Sequence, residues 1–332
     1  MRTGIGQYGA WRAVKALLRF CSLRNVFALL AGGLLTLLPV VSGPASSAVA
    51  VLPYTPQYPH HAYGYNLALT RLQHHGAARD WLAAADRALL RPQSVELPFA
   101  GAAELAAQSG AAGYLFNVPA GRRLQVTVGG GSAQSPEIFV DLFRPTAARY
   151  QRVAGALPRS RLPSFEIDIV EGGAYVLRVQ PALGTTGVYD IVVHTTPLLA
   201  FPVVGVDDGA IWSAFGAERD GGRRAHRGVD IFAARGTPAL AATDGWVTRV
   251  ETTRVGGNVV WLQPLFGNMR VYYAHLDQQW VQPGDFVLAG QPLGAVGNTG
   301  NAITTPPHLH FGVYVRQPGV RGGARDPAEF LR

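Results

Sequence analysis

The chain has 332 residues, enough for about two domains, and its 48% hydrophobic and 15% charged content excludes a disordered polypeptide. The formal net charge is +8, but Arg2, Arg12, Lys15, Arg19 and Arg24 stand in residues 1–50 with no acid beside them. The basic balance is therefore largely N-terminal, and it implies no nucleic-acid partner. Residues 26–41 (VFALLAGGLLTLLPVV) follow those basic residues as an apolar run, and Ala48-Val49-Ala50 is a small-residue cleavage candidate. This is the layout of a secretory signal peptide, with a retained membrane anchor as the alternative. Either way the remainder is expected outside the cytoplasm, in the periplasm or cell envelope. Cys21 is the only cysteine and precedes the apolar run, so the exported part has no disulfide and must be stable through its core or through metal.

Residues 51–63 are rich in Pro and Tyr and read as a linker; 65–75 and 77–91 read as short helices, the second with Trp81, Leu82, Ala85 and Leu89 on one face. Gly76 and Pro92 punctuate them. The pairs His60/His61 and His74/His75 are read as ordinary residues, because adjacent side chains diverge on a helix and no carboxylate or cysteine cluster joins them. Residues 95–197 alternate with period two, as in Leu124/Val126/Val128, Ile138/Val140/Leu142, Phe165/Ile167/Ile169, Tyr175/Leu177/Val179 and Tyr189/Ile191/Val193. Turn signals separate these runs, which predicts a β-sandwich domain, and it carries no visible catalytic set. His194 is read as an ordinary strand residue.

Residues 198–332 are expected to form a second, mainly β domain: a twisted antiparallel sheet bordering a groove, with strands at Asn258–Gln263, Arg270–His275 and Leu309–Val315. Five polar residues stand out here: His226 and Asp230, then His275, then His308 and His310. On a strand, i and i+2 side chains share a face, so His308 and His310 reach one pocket. His226 and Asp230, four apart, also share a face on a strand or a helix, and Val229, Ile231 and Phe232 favour the strand. His275 is read as the end of the strand Val271–Ala274. Imidazole and carboxylate are zinc ligands, and a zinc site that does chemistry uses three protein ligands and keeps a position open for water. Five such groups supply three ligands and two proton-handling histidines, which points to a hydrolase.

The phrases HRGVDIFAARGTPALAATDGWV, VYYAHLD, VQPGDFVLAGQPLGAVGNTG and PPHLHFGVY resemble the lysostaphin/LytM-type zinc metallopeptidase family, over roughly residues 205–330. That resemblance implies peptidoglycan endopeptidase activity and one Zn2+ per chain, held by His226, Asp230 and His310. His275 and His308 would then be the catalytic histidines. It implies a peptidoglycan peptide as substrate. Ser213–Gly216 is similar to the family's strand before the first ligand, and Arg325–Pro327 to its closing segment. The Thr299–Pro307 loop is longer than the family's usual connection and is expected to border the groove. The 95–197 phrases LFNVPAGRRLQVTV, EGGAYVLRVQP and GVYDIVVHT resemble the β-sandwich modules flanking secreted bacterial peptidases; such a module positions the enzyme, binds wall polymer or covers the groove. Three alternatives stay open: a catalytically silent scaffold that regulates other wall hydrolases, a zinc peptidase acting on secreted proteins, and an enzyme held latent by residues 51–197.

Overall fold

The structure, a computed structural model, describes residues 58–331 apart from 108–109, 131–136, 148, 157–161, 220, 266–267 and 317–322. The expected signal or anchor in residues 1–50, with its apolar run 26–41, lies outside the described residues. Among the described residues no helix is long and apolar enough to cross a membrane.

Helix α1 spans Pro59–Leu69 and α2 Gly76–Leu90. The first helix therefore begins inside the stretch expected to be a linker and ends before the predicted 65–75 element does. Pro59 in its first turn fits the helix start, where a missing N–H costs nothing. Arg71, at φ 59°, breaks the chain between the two helices.

Nine strands follow: β1 (Gln93–Ser94), β2 (Phe99–Leu105), β3 (Ala112–Val118), β4 (Arg122–Gly130), β5 (Ile138–Pro145), β6 (Tyr150–Gly155), β7 (Ser164–Ile169), β8 (Gly173–Pro181) and β9 (Gly187–Pro197). They form one sheet in the order β1-β3-β8-β5-β6 and a second in the order β2-β9-β4-β7. Leu124, Val126 and Val128 from one sheet and Tyr114, Phe116, Leu142 and Leu177 from the other share a single buried core. The period-two runs thus face inward between two sheets, as alternation on half-buried strands requires.

β5 and β8 are buried on their second face as well, because the helical segment covers it. Leu67, Ala78, Trp81 and Phe139 make a small core there, with Tyr63 packed against it. His60, expected to be an ordinary residue, is buried: its ring stacks on Trp81 at 4.7 Å and its Nε2 lies 2.7 Å from Gln180 Oε1. The Gln180 amide in turn donates to Trp81 O, and Trp81 Nε1 donates to Pro181 O. Gly113 permits the close approach of α2, since a Cβ there would run into the Ala88 carbonyl. Burial, reinforced by the charge of Arg178, lowers the His60 pKa from 6.5 to about 4. The folded state therefore holds His60 neutral while the unfolded chain takes up a proton below pH 6.5. The associated stability is complete above pH 6.5 and declines as the pH falls towards 4, by about 3 kcal/mol in all. Urea unfolding at pH 7 and pH 4.5 is expected to lose more stability in the wild type than in His60→Gln; equal losses would remove His60 as the source.

The third sheet carries β10 (Ile211–Ser213), β13 (Val229–Phe232), β14 (Pro238–Leu240), β15 (Gly245–Thr253), β16 (Gly257–Pro264), β17 (Met269–Gln279), β18 (Phe286–Val287), β19 (Pro292–Val296), β20 (His308–Val315) and β21 (Ala324–Arg325), while β11 (Glu218–Arg219) and β12 (Arg224–Ala225) form a separate two-stranded hairpin. The main order of the third sheet is β10-β13-β20-β17-β16-β15-β18, antiparallel throughout, and β19 links β17 to β14. Val229, Ile231, Leu309, Phe311, Val271 and Tyr273 point into one core. The alternate residues of the same strands, Asp230, Phe232, His308, His310 and Tyr272, face the opposite side and line a groove. The predicted mainly β architecture, with an antiparallel sheet bordering a groove, is what the chain forms. The short helix α3 (Ala328–Leu331) closes the described chain; Leu199 N donates to Phe330 O, and Phe330 is fully buried in the core of this sheet.

Candidate active site

Antiparallel register brings the strand-borne residues together. Asp230 on β13 lies opposite His310 on β20, which lies opposite Ala274 on β17; Phe232 lies opposite His308. The small Ala274 beside His310, and Gly312 opposite Tyr272, keep the floor of the groove low. Gly228 completes the seat: a Cβ at that position would meet the His310 ring and the Phe311 carbonyl oxygen.

His226 reaches the site differently from the expectation. It lies before β13 and not on it, so no strand face carries both His226 and Asp230. The β11–β12 hairpin positions it: His226 N donates to Ala217 O, and Gly216 N donates to His226 O. The His226 Nδ1–H donates to Ala214 O at 2.9 Å, which leaves Nε2 with a lone pair aimed into the groove. That Nε2 lies 2.9 Å from His310 Nδ1 and 3.0 Å from Asp230 Oδ1, and His310 Nδ1 lies 2.9 Å from the same oxygen. Two imidazole nitrogens and one carboxylate oxygen thus form a nearly equilateral triangle. Ligands about 2.0–2.1 Å from a tetrahedral zinc stand roughly 3.3 Å apart, so a small opening of this triangle admits the ion. Among the described residues this is the group of three close His, Cys, Asp or Glu donors that fits a metal ion. Burial raises the Asp230 carboxyl pKa, but the adjoining His226 and His310 imidazoles outweigh that and hold it well below the usual carboxylate range. Burial pushes the His310 imidazole down, against the opposing pull of Asp230. Metal binding requires the two imidazole nitrogens neutral and the carboxylate ionised, and these three residue types can supply those forms.

His275 and His308 stand beside the triangle, their ring centroids 5.1 Å apart. His275 does not end its strand: β17 continues to Gln279. It lies where β17 leaves β20 and begins to pair with β19, in the left-handed region at φ 62°. A non-glycine residue there stores of order 1–2 kcal/mol of strain. Three hydrogen bonds hold it: His275 N to Gly256 O, Thr299 N to His275 O, and His275 Nδ1–H to Thr299 O at 2.8 Å. His308 Nδ1–H donates to Pro306 O at 2.9 Å, and Phe232 stacks on its ring at 5.0 Å. Exposed Trp212 stacks on Phe232 in turn. A carbonyl can only accept, so each histidine carries a proton on Nδ1, and the neutral ring presents a lone pair on Nε2. Burial lowers the His275 pKa to about 4, which keeps this form at neutral pH.

The groove has a volume of about 830 Å³, and among the described residues its lining falls entirely within Ser213–Tyr314. The Thr299–Pro307 loop does border it, through Asn301, Ala302 and Thr305. Sequence reasoning missed Arg219. Its guanidinium bonds Asp230 Oδ2 at 2.9 Å and also Ser213 Oγ, so Asp230 keeps Oδ1 directed at the two histidines. A sole hint in the sequence is an arginine-rich run, Arg219 to Arg227, around the first histidine.

Residues 224–326 match Peptidase family M23. An L-Ala–D-Glu endopeptidase of Bacillus subtilis is 36% identical over 141 residues, which cover 40% of this chain and 43% of that protein. Glycyl-glycine endopeptidase ALE-1 of Staphylococcus capitis is 40% identical over 108 residues, 32% of this chain and 29% of that protein. Peptidoglycan DD-endopeptidase ShyC of Vibrio cholerae is 39% identical over 89 residues, 26% of this chain and 20% of that protein. The chain spans less than half the length of these curated relatives. Among solved structures, the catalytic domain of lysostaphin from Staphylococcus simulans is 37% identical over 36% of this chain and 88% of that one, with a TM-score of 0.32. The stretch that contributes the donor triangle and both flanking histidines is accordingly a Peptidase family M23 domain.

Proposed function

We propose that this protein is an exported, zinc-dependent endopeptidase that hydrolyses peptide bonds in peptidoglycan stems or crosslinks. In this reading His226, Asp230 and His310 hold one zinc ion per chain, and His275 and His308 are the catalytic histidines. The observation that carries it is the convergence of His226 Nε2, His310 Nδ1 and Asp230 Oδ1 to within 3.0 Å of one another, beside two histidines whose Nδ1 atoms are each anchored to a backbone carbonyl. The relatives named above are hydrolases of peptide bonds, which supports the reaction class. The same reading treats 198–332 as the catalytic domain, 95–197 as an accessory β-sandwich, 51–94 as linker and short helices, and 1–50 as the export signal or anchor. It places the enzyme in the periplasm or cell envelope.

Bound at the triangle, zinc supplies Lewis acidity: it polarises the scissile carbonyl and brings the acidity of water near neutrality. The chain's own residues do the rest. Hydrogen bonds to Thr299 O and Pro306 O fix the tautomers of His275 and His308, so Nε2 of each accepts a proton without first losing one. Between them these histidines take the proton of the attacking water and return one to the departing amine. Asp230 and Arg219 fix the charge of the site: one carboxylate oxygen faces the donors and the other is held by the guanidinium. Among the described residues the groove is walled by 213–314 alone, which favours a constitutive enzyme over one plugged by its own sandwich.

Incubation of purified peptidoglycan with the zinc-loaded protein, followed by mass analysis of soluble products, tests the reading. Released peptide fragments are expected. Tightly held zinc without any release would leave the regulatory scaffold in its place, and a substrate limited to proteins would shift it to the secreted-protein alternative.

Arg219 carries a separate prediction. Arg219→Gln is expected to weaken zinc affinity by roughly 10–100-fold, the usual effect of losing a group that orients a ligand. Chelator competition measures it, and an unchanged affinity would remove Arg219 from the support of Asp230.

A further inference from the structure

One aromatic side chain beside the groove is placed as nothing in the proposed reaction requires. Trp212 is the middle residue of β10, the edge strand of the third sheet. It is 73% exposed, although indole is the bulkiest apolar side chain. A single exposed apolar residue is ordinary, but this ring is held on two sides. It stacks on Phe232 with centroids 4.8 Å and planes 18° apart, and its Nε1–H donates to Gly209 O at 3.1 Å. Phe232 stacks in turn on His308 at 5.0 Å. Three rings therefore run outward from a histidine of the candidate site. Ser213 and Phe232, its neighbours in chain and in space, line the groove and Trp212 does not, so the indole stands at the rim with its second face open to water. A ring already fixed in place loses little freedom when a ligand covers that face.

Asp207 stands beside this platform. Its Oδ1 accepts from Gly209 N at 2.9 Å, so Asp207 and Trp212 grip the two ends of the same residue. Asp207 is exposed, and its second oxygen remains an acceptor for a ligand. A flat apolar face with an anionic acceptor at its edge has a complement in an N-acetylated hexosamine. Such a ring carries C–H groups across its face and hydroxyl and amide donors round its edge, and it has no charge. The carboxylates of a stem peptide fit this place worse, because Asp207 repels them. Distance agrees with a sugar. The two ring-to-ring steps put Trp212 within about 10 Å of His308, which is about three residues of extended chain at roughly 3.3 Å each. A peptidoglycan stem hangs from a sugar by its first residue, so a bond about three residues along the stem leaves that sugar at the indole.

We propose that Trp212 and Asp207 form a saccharide subsite at the rim of the groove. The indole takes the face of a neutral N-acetylated hexosamine of the glycan strand and Asp207 accepts from its edge, while the attached peptide lies in the groove. This rests on the endopeptidase reading above and adds to it a preference for peptides still attached to glycan.

The test gives the zinc-loaded full chain two crosslinked stem-peptide dimers, one bearing its disaccharides and the other acetylated in their place. The sugar-bearing dimer is expected to show a kcat/KM about tenfold higher, expressed mainly in KM, the size of effect that one packed aromatic contact gives. Trp212→Ala is expected to collapse that ratio and Trp212→Phe to keep part of it. Asp207→Asn, which retains an acceptor for Gly209 N but loses the charge, is expected to lower it. Equal cleavage of the two dimers by the wild type, or a Trp212→Ala variant that slows both by the same factor, would overturn the proposal, since the indole would then only brace Phe232 and His308. The endopeptidase reading would stand in either case. If neither dimer is cut, binding of a peptide-free N-acetylglucosamine oligomer, followed by tryptophan fluorescence, decides. Quenching that is lost in Trp212→Ala would support the subsite while the catalytic reading fails. No binding, or binding indifferent to Trp212, would overturn it.

Discussion

Substitution of His310 by Ala is expected to abolish both zinc retention and release of peptide from purified peptidoglycan. His310 Nδ1 is one corner of the donor triangle, 2.9 Å from each of the other two donor atoms. Its loss leaves two protein donors where catalytic zinc sites use three. Removing a group that merely orients a ligand costs 10–100-fold in affinity, so loss of a ligand is expected to exceed about 100-fold. The fold should survive, because His310 lies on the groove face of β20 while its neighbours Leu309 and Phe311 fill the core. Zinc content after dialysis, circular dichroism and fragment release measured on the same sample separate the site from the fold. A folded variant that keeps one zinc and digests wall would remove His310 from the ligand set, and with it the assignment of His226 and Asp230.

His275→Ala and His308→Ala should behave differently: zinc retained, catalysis lost. Neither histidine contributes a corner of the triangle, and each is anchored through Nδ1 to a backbone carbonyl, so its removal leaves the three donors and their hydrogen bonds in place. A positioned general acid or base contributes roughly 10²–10⁴-fold, and kcat is expected to fall by that factor with zinc stoichiometry unchanged. His275→Ala keeps a Cβ, and so the left-handed strain, and loses the bond to Thr299 O, so stability is expected to be equal or slightly lower. Single-turnover cleavage and chelator competition on each variant check both halves. Loss of zinc in either variant would move that histidine into the metal's own coordination, and near-normal turnover would exclude it from proton transfer.

Much of this arrangement was legible in residue order, because a strand's two faces alternate whatever surrounds it. Leu309, Phe311 and Val313 against His308, His310 and Tyr314 declare a core face and a polar face in one eight-residue segment, and that division holds in the folded chain. The runs of the sandwich, such as Leu124/Val126/Val128, are read the same way. Local pattern failed wherever a long-range contact decides. The first helix starts at Pro59, and its rings of His60 and Tyr63 pack on Trp81 and on the distant Phe139 of β5. The buried role of His60 needs Gln180, which no local window contains.

The candidate site divides along the same line. Residue order alone supplies the donor types, and the two-residue repeat of an extended backbone supplies the shared face of His308 and His310 and the alternation that buries one side of each strand. That His226 is aimed from a hairpin and not from a strand depends on the folded arrangement. The same arrangement decides that His275 takes a left-handed conformation where β17 changes partner, and that Arg219 clasps the outer oxygen of Asp230. Each of these depends on which strands pair and in what register. Register is chosen by the burial of the whole core at once, and no single segment carries that information.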